Sequence, residues 1–142
     1  MTRDSLKGSL SCYISMKNRL YNGGKWNEAK FKAFVISGLR AYMKRWEPLW
    51  EAKVNAKVGK KINKRSGRLA EHYKCAGCNE SFVANDVQVD HINPVVSPKE
   101  GFKNWQTFIN RLYCEIDNLQ VLCKKCHKEK TNAERKERMK NK

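Results

Sequence analysis

The sequence predicts an α+β fold in which a small zinc-stapled core follows an N-terminal helical extension. Three patterns predict it. Two Cys-x-x-Cys pairs, Cys75-x-x-Cys78 and Cys123-x-x-Cys126, lie far apart in the chain, a spacing suited to two knuckles closing on one ion. Short apolar alternations at 87–90 and 119–122, the second running into Cys123, read as strands. Apolar residues recur at three- and four-residue steps over 27–46 and again over 101–113, the period of amphipathic helices.

Residues 1–25 mix Ser, Lys and Asn and end near Gly23-Gly24, which reads as an arm closing in a turn. From Asn27, a candidate N-cap, the stripe Phe31, Phe34, Val35, Leu39, Tyr42 and Trp46 marks a helix that Pro48 ends or kinks. Residues 49–58 also suit a helix, with Trp50, Val54 and Val58 four apart. Beyond Gly59, the run Lys60, Lys61, Lys64, Arg65 and Arg68 reads as a basic linker, either simply solvated or in contact with phosphates. Residues 26–72 are therefore expected to form a basic helical extension and 73–142 the zinc-bearing domain. Within that domain Val87, Val89 and Asp90 alternate like a strand, and Asn93-Pro94 and Ser97-Pro98 break the chain into a loop. Phe102, Trp105, Phe108, Ile109 and Leu112 then form a packing stripe, and Leu119, Val121 and Leu122 give a second strand. The segment 124–142 is rich in Lys, Glu and Arg with almost no apolar stripe, as in an exposed helix that frays toward its end.

A chain of 142 residues can hold one compact domain with an extension, but not two large domains. Thirty Lys and Arg against fourteen Asp and Glu give a formal net charge of +16, the footprint of a protein that meets a polyanion. Nucleic acid is the expected partner. A membrane surface would also attract this charge, but it wants an apolar or amphipathic anchor, and the longest aliphatic stretches here are a few residues long. The start of the chain has no apolar run of secretory length, so a cytoplasmic protein is expected. In that reducing compartment the paired cysteines point to metal rather than to disulfides. Four thiolates fill a tetrahedral shell and leave no position for water, so Cys75, Cys78, Cys123 and Cys126 are expected to hold structural Zn²⁺. A thioredoxin-like redox pair would want a strand and helix pattern not found around either pair. Cys12 and Cys114 read as ordinary free thiols, and His72, with no partner motif, as a surface histidine.

Asp90 and His91 are neighbours at the end of the first strand of this domain, where adjacent side chains diverge and can take separate roles. Asn93-Pro94 turns the chain just after them and leaves His91 at an accessible edge. On the final helix Cys126 and His127 stand about 100° apart around the axis, so Cys126 can face one ion while His127 faces another. These residues resemble the HNH family of ββα-metal nucleases. The matching segments are Cys75-Ala-Gly-Cys78, Val89-Asp90-His91-Ile92-Asn93-Pro94, Asp117-Asn118-Leu119-Gln120-Val121-Leu122-Cys123 and Cys126-His127-Lys128-Glu129-Lys130-Thr131. Together they cover 73–134 and are far more specific than any one alone. The stretch from Trp46-Glu47-Pro48 through Ala52-Lys53 to Tyr73 is similar to the lead-in of small HNH proteins encoded by bacteriophages.

The resemblance implies a zinc-clamped ββα-metal core of two antiparallel strands, a loop and a helix, forming an HNH nuclease domain over 73–142. It implies a metal-dependent endonuclease that hydrolyses DNA, double-stranded by expectation, nicking one strand per site to leave a 5′-phosphate and a 3′-hydroxyl. His91 would be the general base, Asp90 and His127 would hold one divalent ion (Mg²⁺, Mn²⁺ or Ni²⁺), and Asn118 would fix the loop carrying the base. The long loop at 95–113 sets this chain apart from the shortest family members. Lys124, Lys125, Lys128, Lys130 and Arg135, on or near the last helix, could steer phosphates, against the plainer use as a solvated face with internal Lys-Glu pairs. A phage origin would place the protein in the host cytoplasm and make a phage protein such as a terminase a candidate partner for the helix at 27–46. The reading from a different class is a zinc-stabilised DNA-binding module that does not cleave, or an accessory factor in phage DNA packaging. A pure binder has no need for Asp90, His91 and His127 together.

Overall fold

A computed structural model describes residues 21–142, which fall into two units divided between Tyr42 and Met43. Residues 1–20 of the expected arm, Cys12 among them, lie outside the described residues. The described fold is α+β, with four α-helices and two small antiparallel sheets.

In the first unit Tyr21 and Trp26 close a tight turn through backbone hydrogen bonds of 2.8 and 3.0 Å. Gly23 and Gly24 take the positive φ angles (63° and 81°) that the turn requires. Helix α1 (Glu28–Tyr42) begins where expected, because the Asn27 side chain accepts the Lys30 N–H at 2.9 Å. Tyr21 stacks on Phe31 with ring centroids 3.9 Å apart, and Trp26 tilts against Phe34. The helix stops at Tyr42 rather than Trp46, and no residue in it is fully buried.

The second unit opens with a 3₁₀ turn (Met43–Arg45) and then helix α2 (Glu47–Asn55). Pro48 lies in the first turn of α2, so it starts a helix instead of ending one. A first-turn N–H has no intrahelical acceptor, and losing it there costs nothing. Because α2 ends at Asn55, Val58 is not on it, and the expected stripe is not its packed face: Ala52 is buried while Trp50 is exposed. The basic run beyond is an ordered hairpin and not a linker. Strand β1 (Lys57–Ile62) pairs antiparallel with β2 (Leu69–Lys74), from Lys57 opposite Tyr73 to Ile62 opposite Leu69. The expected helical extension over 26–72 is thus helical only as far as Asn55. Its remainder is strand because β-branched Val58 and Ile62 lead into a tight Asn63 to Gly67 turn, closed by a 2.7 Å backbone bond. Strand β3 (Ser81–Val83) completes a sheet of order β1-β2-β3. His72, sandwiched in the middle strand, is buried rather than on the surface, with Nδ1 2.8 Å from the Ala70 carbonyl oxygen.

The second sheet matches the two strands read from the alternation: β4 (Val87–His91) runs antiparallel to β5 (Leu119–Cys123), with Val89 opposite Val121, Asp90 opposite Gln120 and His91 opposite Leu119. The long loop between them contains helix α3 (Trp105–Leu112), capped by Asn104, whose side chain accepts the Thr107 N–H at 2.8 Å. Phe108 and Leu112, one turn apart, are each 2% exposed and anchor this helix. Helix α4 (Lys124–Lys140) follows β5 directly and buries no residue completely, as its polar sequence predicts. Two apolar clusters among the described residues join the unit's elements. Tyr73, Val87 and Val121 gather Ala56, Phe82, Ala84 and Val89, while Cys75, Leu122 and Cys123 pack with Phe82 and Cys126. Cysteines are therefore part of the core itself. Among the described residues no helix is long and apolar enough to cross a membrane.

Candidate functional site

The first cysteine pair sits in the turn joining β2 to β3. There the Cys75 N–H donates to the Glu80 carbonyl at 2.8 Å and the Asn79 N–H returns to the Cys75 carbonyl at 2.9 Å. The second pair spans the junction of β5 and α4, where Cys123 is the N-cap and its sulfur accepts the Cys126 N–H at 3.4 Å. A backbone bond of 2.8 Å from the Ala76 N–H to the Val121 carbonyl fastens one knuckle to the other. All four sulfurs consequently lie within 4.8 Å of one another. A tetrahedral shell with Zn–S near 2.3 Å has sulfurs about 3.8 Å apart, so the four cysteines could hold a metal ion such as zinc.

One of the thiols is already polarised for this. Burial pushes Cys75 up, but backbone N–H groups of Cys123, Cys78 and Gly77 outweigh it and hold the thiol at about 6. Cys126 is pushed up to about 12, first by the Cys123 side chain and then by burial and the other sulfurs. Four sulfurs this close cannot all ionise unaided, and a divalent cation supplies the missing charge. Gly77 is the spacer that the geometry demands, since a Cβ there would meet Cys126 Sγ at 2.9 Å and Cys126 Cβ at 3.0 Å. Gly77→Ala is expected to weaken zinc binding about 10–100-fold, as disturbing the support of a metal ligand does. Competition with a chromophoric chelator measures it, and unchanged zinc affinity would mean that the knuckle yields freely.

Beside the cysteines, β4, β5 and α4 bring a second group of side chains together. His127, one residue past Cys126, directs Nε2 to 3.7 Å from Asp90 Oδ1. The His91 ring makes a 2.9 Å hydrogen bond from Nε2 to the Leu112 carbonyl oxygen at the end of α3. A carbonyl oxygen only accepts, so Nε2 carries the proton and Nδ1 of a neutral ring is left as an acceptor. Asn118 clamps the backbone just beyond: its Oδ1 accepts the Asn93 N–H at 2.9 Å, its Nδ2 donates to the Asn93 carbonyl at 3.3 Å, and its own carbonyl accepts the Ile92 N–H at 2.8 Å. Asp90 and His127 thus face each other, both partly open to solvent (16% and 33% of the side chain exposed), with His91 next to Asp90 in β4 and Asn118 just before β5.

Lys130 makes the internal Lys-Glu pair weighed against phosphate steering, and reaches Asp90 as well. Its ammonium turns into this cluster instead of out to a ligand, 2.9 Å from Asp90 Oδ2, 2.6 Å from Glu134 Oε1 and 2.8 Å from the His91 carbonyl. Partial burial lowers its pKa, but Glu134 and Asp90 outweigh that and raise it, so Lys130 is a fixed cation. Gln120 Nε2 donates weakly to the same Asp90 oxygen at 3.4 Å. The sequence did carry a signal for Lys130, which lies three residues after His127 and four before Glu134 on one helix face. Nothing in the sequence could point to the Leu112 carbonyl. Lys124 is likewise engaged, 3.2 Å from Asp86 Oδ1, whereas Lys125, Lys128 and Arg135 are exposed along α4. Cys114 is a free, half-buried thiol, and its carbonyl oxygen accepts the Trp46 indole N–H at 2.6 Å. Comparison with protein-family models, with curated proteins and with solved structures finds no match to this chain.

Proposed function

We propose that the chain is a metal-dependent HNH endonuclease that nicks one strand of double-stranded DNA per site and leaves 5′-phosphate and 3′-hydroxyl ends. Cys75, Cys78, Cys123 and Cys126 hold structural Zn²⁺ and keep a ββα-metal core of β4, β5 and α4 in register. The observation that carries this reading is the 3.7 Å approach of His127 to Asp90 beside a histidine whose second nitrogen is committed to a carbonyl. Nitrogen and oxygen ligands bound at about 2.0–2.2 Å and about 90–110° stand about 2.8–3.6 Å apart, so a small closing movement of this pair would let one imidazole and one carboxylate share one divalent ion. Such an ion, Mg²⁺, Mn²⁺ or Ni²⁺, would neutralise charge on the scissile phosphate and on the departing 3′ oxygen.

The protein's own groups do the rest. His91 accepts the proton of the attacking water at Nδ1, because the Leu112 carbonyl keeps the other nitrogen protonated. Asn118 holds the backbone of residues 92 and 93 and so keeps the imidazole from swinging away. Lys130 ties Asp90 to the His91 carbonyl and orients the carboxylate. Lys125, Lys128 and Arg135 offer exposed charge to the phosphates on either side.

A supercoiled-plasmid assay with a chelator or with added Mg²⁺, Mn²⁺ or Ni²⁺ tests the reading. Nicked circles are expected with at least one ion and none with the chelator. His127→Ala should lower cleavage by more than the roughly 10–100-fold that follows loss of a ligand's supporting partner, with zinc content unchanged. Lys130 favours one competing reading, a zinc-stabilised DNA-binding module that does not cleave, since an ammonium 2.9 Å from Asp90 already neutralises that carboxylate. Folded, DNA-bound protein inert with every ion would establish that alternative.

A further inference from the structure

We infer that the β1–β2 hairpin is a separate nucleic-acid contact, a basic ribbon that lies in the major groove of duplex DNA. The inference does not rest on cleavage, since it concerns a surface built from other elements than the Asp90 cluster. From 57 to 68 the chain carries Lys57, Lys60, Lys61, Lys64, Arg65 and Arg68 and no acidic residue. Every residue of β1 is exposed. What reads in sequence as a loose basic run is held in one shape by the β1–β2 ladder and by the turn, where the Asn63 N–H donates to the Arg68 carbonyl at 2.8 Å.

A ribbon fixed in advance presents its charges without the ordering cost that a flexible segment bears. Some of those charges have neighbours. Lys61 donates to Ser81 Oγ at 3.0 Å, Arg65 lies 3.7 Å from an Asp86 carboxylate oxygen, and Lys60 stands opposite Glu71. Lys57, Lys64 and Arg68 form no ion pair among the described residues. Near the tip, Ile62 and Leu69 face each other across the strands at 59% and 66% exposure, an apolar pair ringed by cations. Lysines on an edge strand also deter sheet-to-sheet pairing, but Lys64, Arg65 and Arg68 lie at or beyond the strand ends, where that purpose does not need them.

Size and chemistry then choose the partner. The distal end of the hairpin, beyond the pairing of His72–Lys74 with β3, is two-stranded, and the major groove of B-form DNA, about 12 Å wide, admits a two-stranded ribbon whose strands are about 4.8 Å apart. Its phosphates flank the ribbon's cations, and thymine methyl groups on its floor suit exposed Ile and Leu side chains. The major groove of an RNA duplex is too deep and narrow for such an element. Duplex DNA is therefore the occupant that both the charge and the shape fit.

Binding to a labelled 20-base-pair DNA duplex, and to an RNA duplex of the same length, can be followed by fluorescence anisotropy across NaCl concentrations with no divalent ion added. The ribbon variant is Lys60→Ala, Lys64→Ala and Arg68→Ala together. The charge-matched control removes Lys136, Arg138 and Lys140 from the end of α4 in the same way. The ribbon variant is expected to bind DNA about tenfold or more weakly near 150 mM NaCl, with the slope of log K against log[salt] reduced by about 2–3, close to 0.9 per lost phosphate contact. The control should change affinity less than about threefold, and only the ribbon variant should lose the parent's preference for DNA over RNA. Zinc content and circular dichroism check that both remain folded. A ribbon variant that behaves like the control, or that loses DNA and RNA binding equally, would overturn the inference. Protein that never cleaves but shows the ribbon effect sinks the nuclease reading and leaves the ribbon standing.

Discussion

His91→Ala is expected to slow plasmid nicking by about 10²–10⁴-fold, the range that one positioned general base contributes, while zinc content and DNA affinity stay at parental values. The expectation follows from the ring's two nitrogens doing different work. Nε2 is held by the Leu112 carbonyl at 2.9 Å, which fixes both the tautomer and the ring plane. Nδ1 is then the nitrogen left free to accept a proton. Removing the ring gives up one hydrogen bond, about 0.5–1.5 kcal/mol of stability, which a domain of ordinary stability, about 5–15 kcal/mol, tolerates. Loss of rate without loss of fold is the signature of a base. Single-turnover nicking, beside anisotropy and zinc analysis on the same preparation, separates the two. A variant that cuts as fast as the parent removes His91 from the chemistry.

Cys78→Ser is expected to have the largest structural effect of any single substitution away from the apolar core. Cys78 is exposed, so the change removes no packing. It does remove one of four sulfurs that lie within 4.8 Å of one another and leaves a hydroxyl that does not ionise at neutral pH. Apparent zinc-binding free energies in structural sites reach about 10–16 kcal/mol, as large as the whole stability of an ordinary domain, about 5–15 kcal/mol. Here the sulfurs of Cys75 and Cys123 belong to the same cluster as Leu122, so opening the shell also opens the core. Bound zinc should fall from one per chain to a small fraction, and the cooperative thermal transition should be lost or moved far down. Cys114→Ser, at a thiol outside the cluster, should leave both intact. A Cys78→Ser protein that melts like its parent would mean that the fold does not depend on metal.

Much of the local structure was legible in the sequence. The alternation at Val87, Val89 and Asp90 and at Leu119, Val121 and Leu122 located both strands of the second sheet, since a half-buried strand must alternate. Asn27 marked the start of α1 because its side chain is the acceptor that an uncapped N–H requires. The hairpin over 57–74 was misread for an equally physical reason. Lysines dominate it, and β1 buries none of its residues, so no apolar period was available to announce a strand. Pro48 was misplaced because proline is compatible with both the end of one helix and the first turn of the next, and only the chain's path distinguishes them.

By itself the sequence determined the chemical inventory: two thiol pairs spaced for one ion, an Asp-His pair at the end of a strand, a second histidine one residue past a cysteine, and a large surplus of positive charge. Those follow from residue type and short-range spacing, which the chain carries wherever it goes. Only the tertiary structure decided how the inventory is used. The Leu112 carbonyl selects the His91 tautomer from across a loop, Lys130 turns inward to Asp90 and Glu134, and backbone hydrogen bonds gather six cations on one hairpin. Backbone groups are the same at every residue and long side chains can reach either way, so position in space, not identity in the chain, assigns these roles.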